Sequence, residues 1–143
     1  MGTASTIKFI AVNKTKIPLI NIYQQYDGYI NCVGHDLEEW LMKKTLLNGF
    51  RINQTSDKYA NGVGCLAAQY IKDHKEDIGE LYIYPIDMSD EYVDYNHKVE
   101  IKDYLDNMPL DEITIITVTN FGNEKPIFVG KPSELLEFTE DGI

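Results

Sequence analysis

Residues 21 to 40, NIYQQYDGYINCVGHDLEEW, place three tyrosines, two glutamines and two glycines between an alternating apolar run and a helix start. A strand-to-helix turn needs only two or three small polar residues, so the excess asks for a chemical role. Tyr23 and Gln25 fall on one face of an extended segment and Gln24 on the other. An aromatic plane beside an amide can stack a base and hydrogen-bond its edge. Tyrosines in a core or a subunit contact are the competing reading, and residue type alone leaves both open.

Other residues carry recognition chemistry of their own. Arg51, the sole arginine, can grip a phosphate with two parallel hydrogen bonds, with Lys58 beside it in the same polar loop. A surface ion pair is the commoner fate of such a residue. The glycine-bearing helix starts DGYINCVGHD and ANGVG, the latter with Asn61, offer free N–H groups to an anion, although neither is a dinucleotide or phosphate-loop fingerprint. Turn geometry explains such glycines more often than a ligand does. His35, His74 and His97 lack metal-ligand spacing, and Asp27, Asp36 and Glu39 read most simply as turn and cap residues. With no committed nucleophile, the sequence points to a non-enzyme without metal or cofactor.

Composition narrows the partners. Thirteen basic against 23 acidic residues give a net charge of −10, which repels the backbone of polymeric nucleic acid while leaving room for one small anion. No apolar run approaches the roughly 20 residues of a membrane span. The start has no signal-peptide order, which leads to the expectation of a cytoplasmic protein. MGTAST fits the loose myristoylation pattern and is read as a chance match. Cys32 and Cys65 are expected to be buried free thiols.

The elements that must position these groups follow from periodicity. Residues 6–12 and 17–25 read as a hairpin closed by the four-residue turn NKTK. A helix is expected from an Asp36 cap, with Glu39 completing a capping box, to Asn48 and Gly49. A second helix follows from about Ala60 to about His74, on which Gly64 and Ala68 would admit a close neighbour. Residues 81–86, 91–101, 112–119 and 126–130 read as strands, and a short acidic helix capped by Ser133 ends the chain. The expected class is α+β in a single domain, residues 1–143: a mostly antiparallel sheet with two central helices packed on one face.

IYQQYDGYINCVG, NGVGCLAAQYI, GELYIYP and EYVDY together resemble, over roughly residues 20 to 95, a family of small phage and bacterial proteins that includes the anti-Thoeris sponges. Their pattern runs Ile-Tyr-x-Gln-Tyr-Asp-Gly-Tyr, then Ala-Asn-Gly-x-Gly-Cys-Leu-Ala-Ala-Gln. Family members often carry proline where this chain has Ile30. The resemblance implies a homo-oligomer, active in the infected host's cytoplasm, that sequesters a cyclic ADP-ribose isomer made by TIR-domain immune sensors without cleaving it. Some members also take cyclic oligonucleotides at a separate site. On chemical grounds the ligand would be held by Tyr23, Gln25, Tyr26, Asp27, Tyr29, Arg51, Lys58 and Asn61. The alternatives are a structural or protein-interaction phage component with no small-molecule ligand, and a nucleotide-cleaving enzyme.

Overall fold

The computed structural model describes residues 3–49, 53–89, 93–123 and 125–138. β1 (Ser5–Val12) and β2 (Lys16–Gln24) form the expected hairpin, closed by Asn13–Thr15 instead of four residues and bulged between Phe9 and Ile10. β3 (Thr45–Leu47), β4 (Tyr59–Asn61) and β7 (Met108–Pro109) make a small three-stranded sheet in the order β4-β3-β7. β5 (Leu81–Tyr84), β6 (Tyr95–Lys102), β8 (Thr114–Asn120) and β9 (Phe128–Gly130) complete the main sheet, ordered β5-β2-β1-β6-β8-β9. Every pairing in that sheet is antiparallel except β1 with β6. The described helices are α1 (His35–Met42), α2 (Gly62–His74), the single turn α3 (Leu110–Ile113) and α4 (Pro132–Glu137). The fold is α+β, as expected.

Alternation sorts the main sheet into two faces. Ile7, Phe9 and Ala11 of β1, Ile22 of β2, Val99 and Ile101 of β6, and Ile116 and Val118 of β8 meet Leu37 and Leu41 of α1 and Val63, Leu66 and Tyr70 of α2 in one core. The Phe9 and Tyr70 rings lie 5.7 Å apart at the heart of it. On the opposite face, cross-strand register sets Tyr82, Tyr23, Thr6, Asn96 and Thr119 in one row across five strands. Thr6, Asn21 and Asn96 are buried there nonetheless. Described residues of the link after β5 lie over this face, with Ser89 lining a cavity beside Asn96 and Thr119. Asn21 Nδ2 donates to the Pro85 carbonyl at 3.0 Å while its Oδ1 has no partner, and the Thr6 hydroxyl donates to Asn96 Oδ1, so the buried polar groups are satisfied in part.

Several local expectations are corrected. The first helix ends at Met42 instead of Asn48, because Leu46 and Leu47 are drawn into β3 between β4 and β7 and are buried there. Tertiary pairing outweighs helix propensity at those positions. Asp36 lies inside the first turn of α1 and caps nothing; its carboxylate meets His74 Nε2 at 3.1 Å. The helix is entered instead through a π-helical turn, Ile30–Gly34, in which Gly34 N–H reaches the Tyr29 carbonyl at 3.3 Å. α2 starts at Gly62, later than Ala60, since Tyr59–Asn61 pairs with β3. The expected strand over 112–119 opens as the α3 turn before β8, and that over 81–86 stops at Tyr84. α4 is capped from Lys131, whose N–H donates to Glu134 Oε1 at 3.0 Å, and not by the Ser133 side chain. Both cysteines are exposed, Cys32 on the π-turn and Cys65 on the outer face of α2. Gly64 and Ala68 are exposed, with nothing within 4 Å of a Cβ built on Gly64.

Two buried ionisable groups give the fold a calculable response to pH. Burial, then the charges of Glu39 and Asp111, pushes the Glu38 carboxyl up to about 8, and neither of its oxygens has a partner. Burial pushes the His97 imidazole down to about 4, against the bond from Nδ1 to the Thr6 carbonyl. Between pH 4 and 6.5 the unfolded chain binds the extra proton at His97, so stability rises with pH. Between 4.5 and 8 the folded chain binds the extra proton at Glu38, so stability falls with pH. Each slope approaches about 1.4 kcal/mol per pH unit; they oppose one another from 4.5 to 6.5 and leave a net loss above 6.5. Urea unfolding at a series of pH values should show that loss between 6.5 and 8, and Glu38→Gln should flatten it. An equal slope in the variant would exclude Glu38 as the cause.

Gly28 meets the start of β1 so closely that a Cβ there would lie 2.7 Å from Ser5 Cβ and 2.8 Å from the Thr3 carbonyl oxygen, which accepts the Gly28 N–H. Gly28→Ala is expected to destabilise by roughly 1 to 3 kcal/mol, the usual cost of overpacking, measured by the same urea unfolding.

Candidate functional site

The residues singled out from the sequence separate into two places. At the end of β2, Tyr23 faces outward on the sheet, stacked on Tyr84 with centroids 4.4 Å apart and planes within 9°, and tilted against Tyr82 at 6.0 Å. Desolvation, then the neighbouring phenols, raises the Tyr23 pKa. Gln25 lies just past the strand, so the alternation that would pair it with Tyr23 has ended; its N–H donates to the Glu80 carbonyl at 3.3 Å. Tyr26 is about half exposed, at 49%. Asp27 adopts the left-handed region, with φ 59°, and its carbonyl accepts the Val33 N–H at 3.1 Å. Its role in the structure is to hold the turn. Tyr29 packs edge-on against buried Tyr95 at 5.7 Å, as part of the core wall. Of the three tyrosines, Tyr26 is exposed and Tyr23 and Tyr29 are partly buried.

The cavity beside this corner is unsuited to a phosphate. It measures about 400 Å³ and is lined by Gln24, Asp36, Asp73, His74, Glu76, Glu80 and Leu81, so four carboxylates face it. Their field repels an anion.

The second place is the start of α2. Gly62, at φ 87°, turns the chain from β4 into the helix in a backbone region that favours glycine. Asp103 Oδ1 accepts the Val63 N–H at 3.0 Å, which caps one of the helix's free donors. Asn61 does not cap; its Oδ1 accepts the Gly49 N–H at 2.8 Å. That bond fixes the amide's orientation and leaves its NH2 as the outward donor. Asn61 lines a cavity of about 190 Å³ together with Leu47, Gln54, Thr55, Ser56, Tyr59, Cys65 and Gln69. Gln69 Nε2 donates to the Tyr59 carbonyl at 3.1 Å, and its Oε1 has no partner. Lys58 stands exposed on the adjoining turn, its carbonyl accepting the Thr45 N–H at 2.8 Å. Arg51 lies outside the described residues.

Sequence reasoning found Asn61 and Lys58 here and missed Tyr59, Gln54 and Gln69. The spacing Asn61, Cys65, Gln69 is a four-residue repeat and places the three on one helix face, which was the available signal. The described lining contains amides, hydroxyls, one phenol and one thiol, with no carboxylate and no imidazole among the described residues. In a chain of net charge −10, it is a place where neutral donors gather beside a helix start that Asp103 caps. Compared with known proteins, the chain matches no protein-family model, no curated protein and no solved structure, so the site stands on its own geometry.

Proposed function

We propose that the protein captures a small nucleotide-derived ligand without transforming it. The family it resembles names that ligand as a cyclic ADP-ribose isomer, and the consequence as a block on a bacterial anti-phage response inside the infected cell; cyclic oligonucleotides are a further class it could take. The supporting observation is the cavity at the start of α2, where Asn61 and Tyr59 stand on the wall and no carboxylate is among the described lining residues. Tyr59 supplies a stacking surface, the Asn61 amide a donor, and Lys58 a nearby positive charge for a phosphate. Hydroxyls and a thiol without an adjacent imidazole suit holding a ligand better than cleaving it.

The described walls enclose about 190 Å³, below the roughly 300 Å³ at which small-molecule sites usually begin. A homo-oligomer, in which a neighbouring copy adds a wall, fits that shortfall. A second reading, an interaction component without a small-molecule ligand, is favoured by one feature. β5 is an edge strand whose Ile83 is 69% exposed, next to fully exposed Ile78 and partly exposed Tyr82 and Ile86. Unblunted apolar edges of that kind invite another chain.

Incubation with a cyclic ADP-ribose isomer, measurement of the free ligand, then heat denaturation separates these readings. Capture predicts depletion followed by return of intact ligand. An altered product would mean catalysis, and no depletion would favour the interaction component. In calorimetry Asn61→Ala should weaken capture by about 1 kcal/mol, the typical worth of a neutral hydrogen bond. Tyr26→Ala should cost roughly 1 to 3 kcal/mol only if the β2 corner takes the base instead of the α2 cavity.

A further inference from the structure

The wall of the α2 cavity formed by residues 54–59 is a turn without strand pairing of its own until Tyr59. Within it the Lys58 and Tyr59 N–H groups both reach the Thr55 carbonyl, at 3.2 and 3.0 Å, and the Thr55 hydroxyl donates to Asp57. From the far side it meets a single side chain that is out of place for its type. Lys44 follows α1 with its side chain only 4% exposed, and its Nζ donates to the carbonyls of Ser56 at 2.7 Å and Asp57 at 3.1 Å. Asp73 Oδ2 on α2 forms an ion pair with it at 3.9 Å, and the Trp40 ring lies under the ammonium at 4.9 Å. Two of the ammonium's three donors are thus bonded to carbonyls, and the Asp73 carboxylate supplies a nearby opposite charge.

The Lys44 backbone is itself held, with its N–H on the Leu41 carbonyl at 3.0 Å and its carbonyl accepting the Leu110 N–H at 3.1 Å. The clamp is therefore anchored to α1 and α3 while it grips the turn. Ser56 belongs both to the α2 cavity and to a second cavity of about 260 Å³ lined by Trp40, Lys43, Lys44, Asp57 and Asp73. The same turn thus shows one side to the ligand cavity and the other to Lys44.

We propose that Lys44 is a positioning residue for ligand binding: its buried ammonium fixes the carbonyls of Ser56 and Asp57 and so sets the wall formed by Gln54, Thr55, Ser56 and Tyr59. The binding half of this statement rests on reading the α2 cavity as the ligand site. Trp40, the only tryptophan, reports on the clamp, because its Nε1–H shares Asp73 Oδ2 at 2.8 Å with the ammonium. A ligand that shifts the turn moves the charge above the indole and changes its emission.

The test compares the wild-type chain with Lys44→Met, which keeps the length and loses the donors, and with Asn61→Ala. In ligand-free protein, amide exchange at Lys58, Tyr59 and Thr45 should accelerate at least tenfold in Lys44→Met while Phe9 in β1 keeps its protection. Unchanged exchange at those three amides overturns the clamp, whatever any ligand does. With a cyclic ADP-ribose isomer as probe, Lys44→Met should bind at least tenfold more weakly and lose the Trp40 emission change that the wild type shows. If Asn61→Ala weakens binding and Lys44→Met does not, the positioning role is wrong although the cavity is right. If neither variant alters binding by an otherwise competent protein, the cavity reading fails and the exchange data alone judge the clamp. Should Lys44→Met fail to fold, Lys44→Gln, shorter but still a donor, is expected to fold with partly accelerated exchange, and protection equal to wild type would overturn the proposal.

Discussion

The parallel ladder between β1 and β6 is the constraint from which the rest of this architecture follows. β1 is bonded on both edges, to β2 and to β6, and it contributes Ile7 and Phe9 to the centre of the core. A parallel neighbour cannot be reached by a hairpin, and described residues that follow β5 lie over the outer face, Pro85 beside Asn21 and Ser89 beside Asn96. On that face Thr6, Asn21 and Asn96 are buried, with Thr6 donating to Asn96 and Asn21 to the Pro85 carbonyl. On the inner face the same strand fixes where Tyr70 packs, and hence where α2 lies and where its first turn opens.

Much of this was legible in the sequence because it is periodic. The strand-like runs of β1, β2, β6 and β8 and the three- and four-residue steps of α2 carry a period, and each was found within a few residues. What escaped has no period to read. Three-residue strands such as Thr45–Leu47 and Tyr59–Asn61 exist only through their pairing with each other and with Met108–Pro109. The π-helical entry to α1 likewise owes its geometry to Asp27 and Tyr29 carbonyls that receive bonds from Val33 and Gly34, and no residue pattern marks it. Asp36 resembles a cap by spacing, and its pairing with His74 across the fold is invisible in one dimension.

The candidate site was half legible for the same reason. Residue chemistry picked out Asn61 and Lys58 and placed them with the β2 tyrosines, but chemistry carries no address, and the fold puts the two sets on different elements. Tyr29, attractive as a stacking group, is committed to Tyr95. Lys44 was overlooked because a lysine just beyond a helix ordinarily points into water; its burial depends on two carbonyls, one carboxylate and one indole contributed by three separate segments. Uncharged walls around the start of α2 stand out only against the acidic surroundings of the neighbouring cavity by Asp36, Asp73, Glu76 and Glu80.

The distance in sequence between β1 and its parallel partner also bears on how the protein is made. Thr6 and Asn96 are 90 residues apart. At about 5 to 20 residues per second, synthesis leaves the first hairpin waiting roughly 5 to 20 seconds for the strand that will cover its free edge. During that interval Ile7, Phe9 and Ile22 have no completed core to enter, and an open, apolar, two-stranded ribbon on a nascent chain is a template for unwanted pairing. Yield in the cell is therefore expected to depend on how quickly residues 95 to 102 emerge and dock, more than on the final stability of the folded chain.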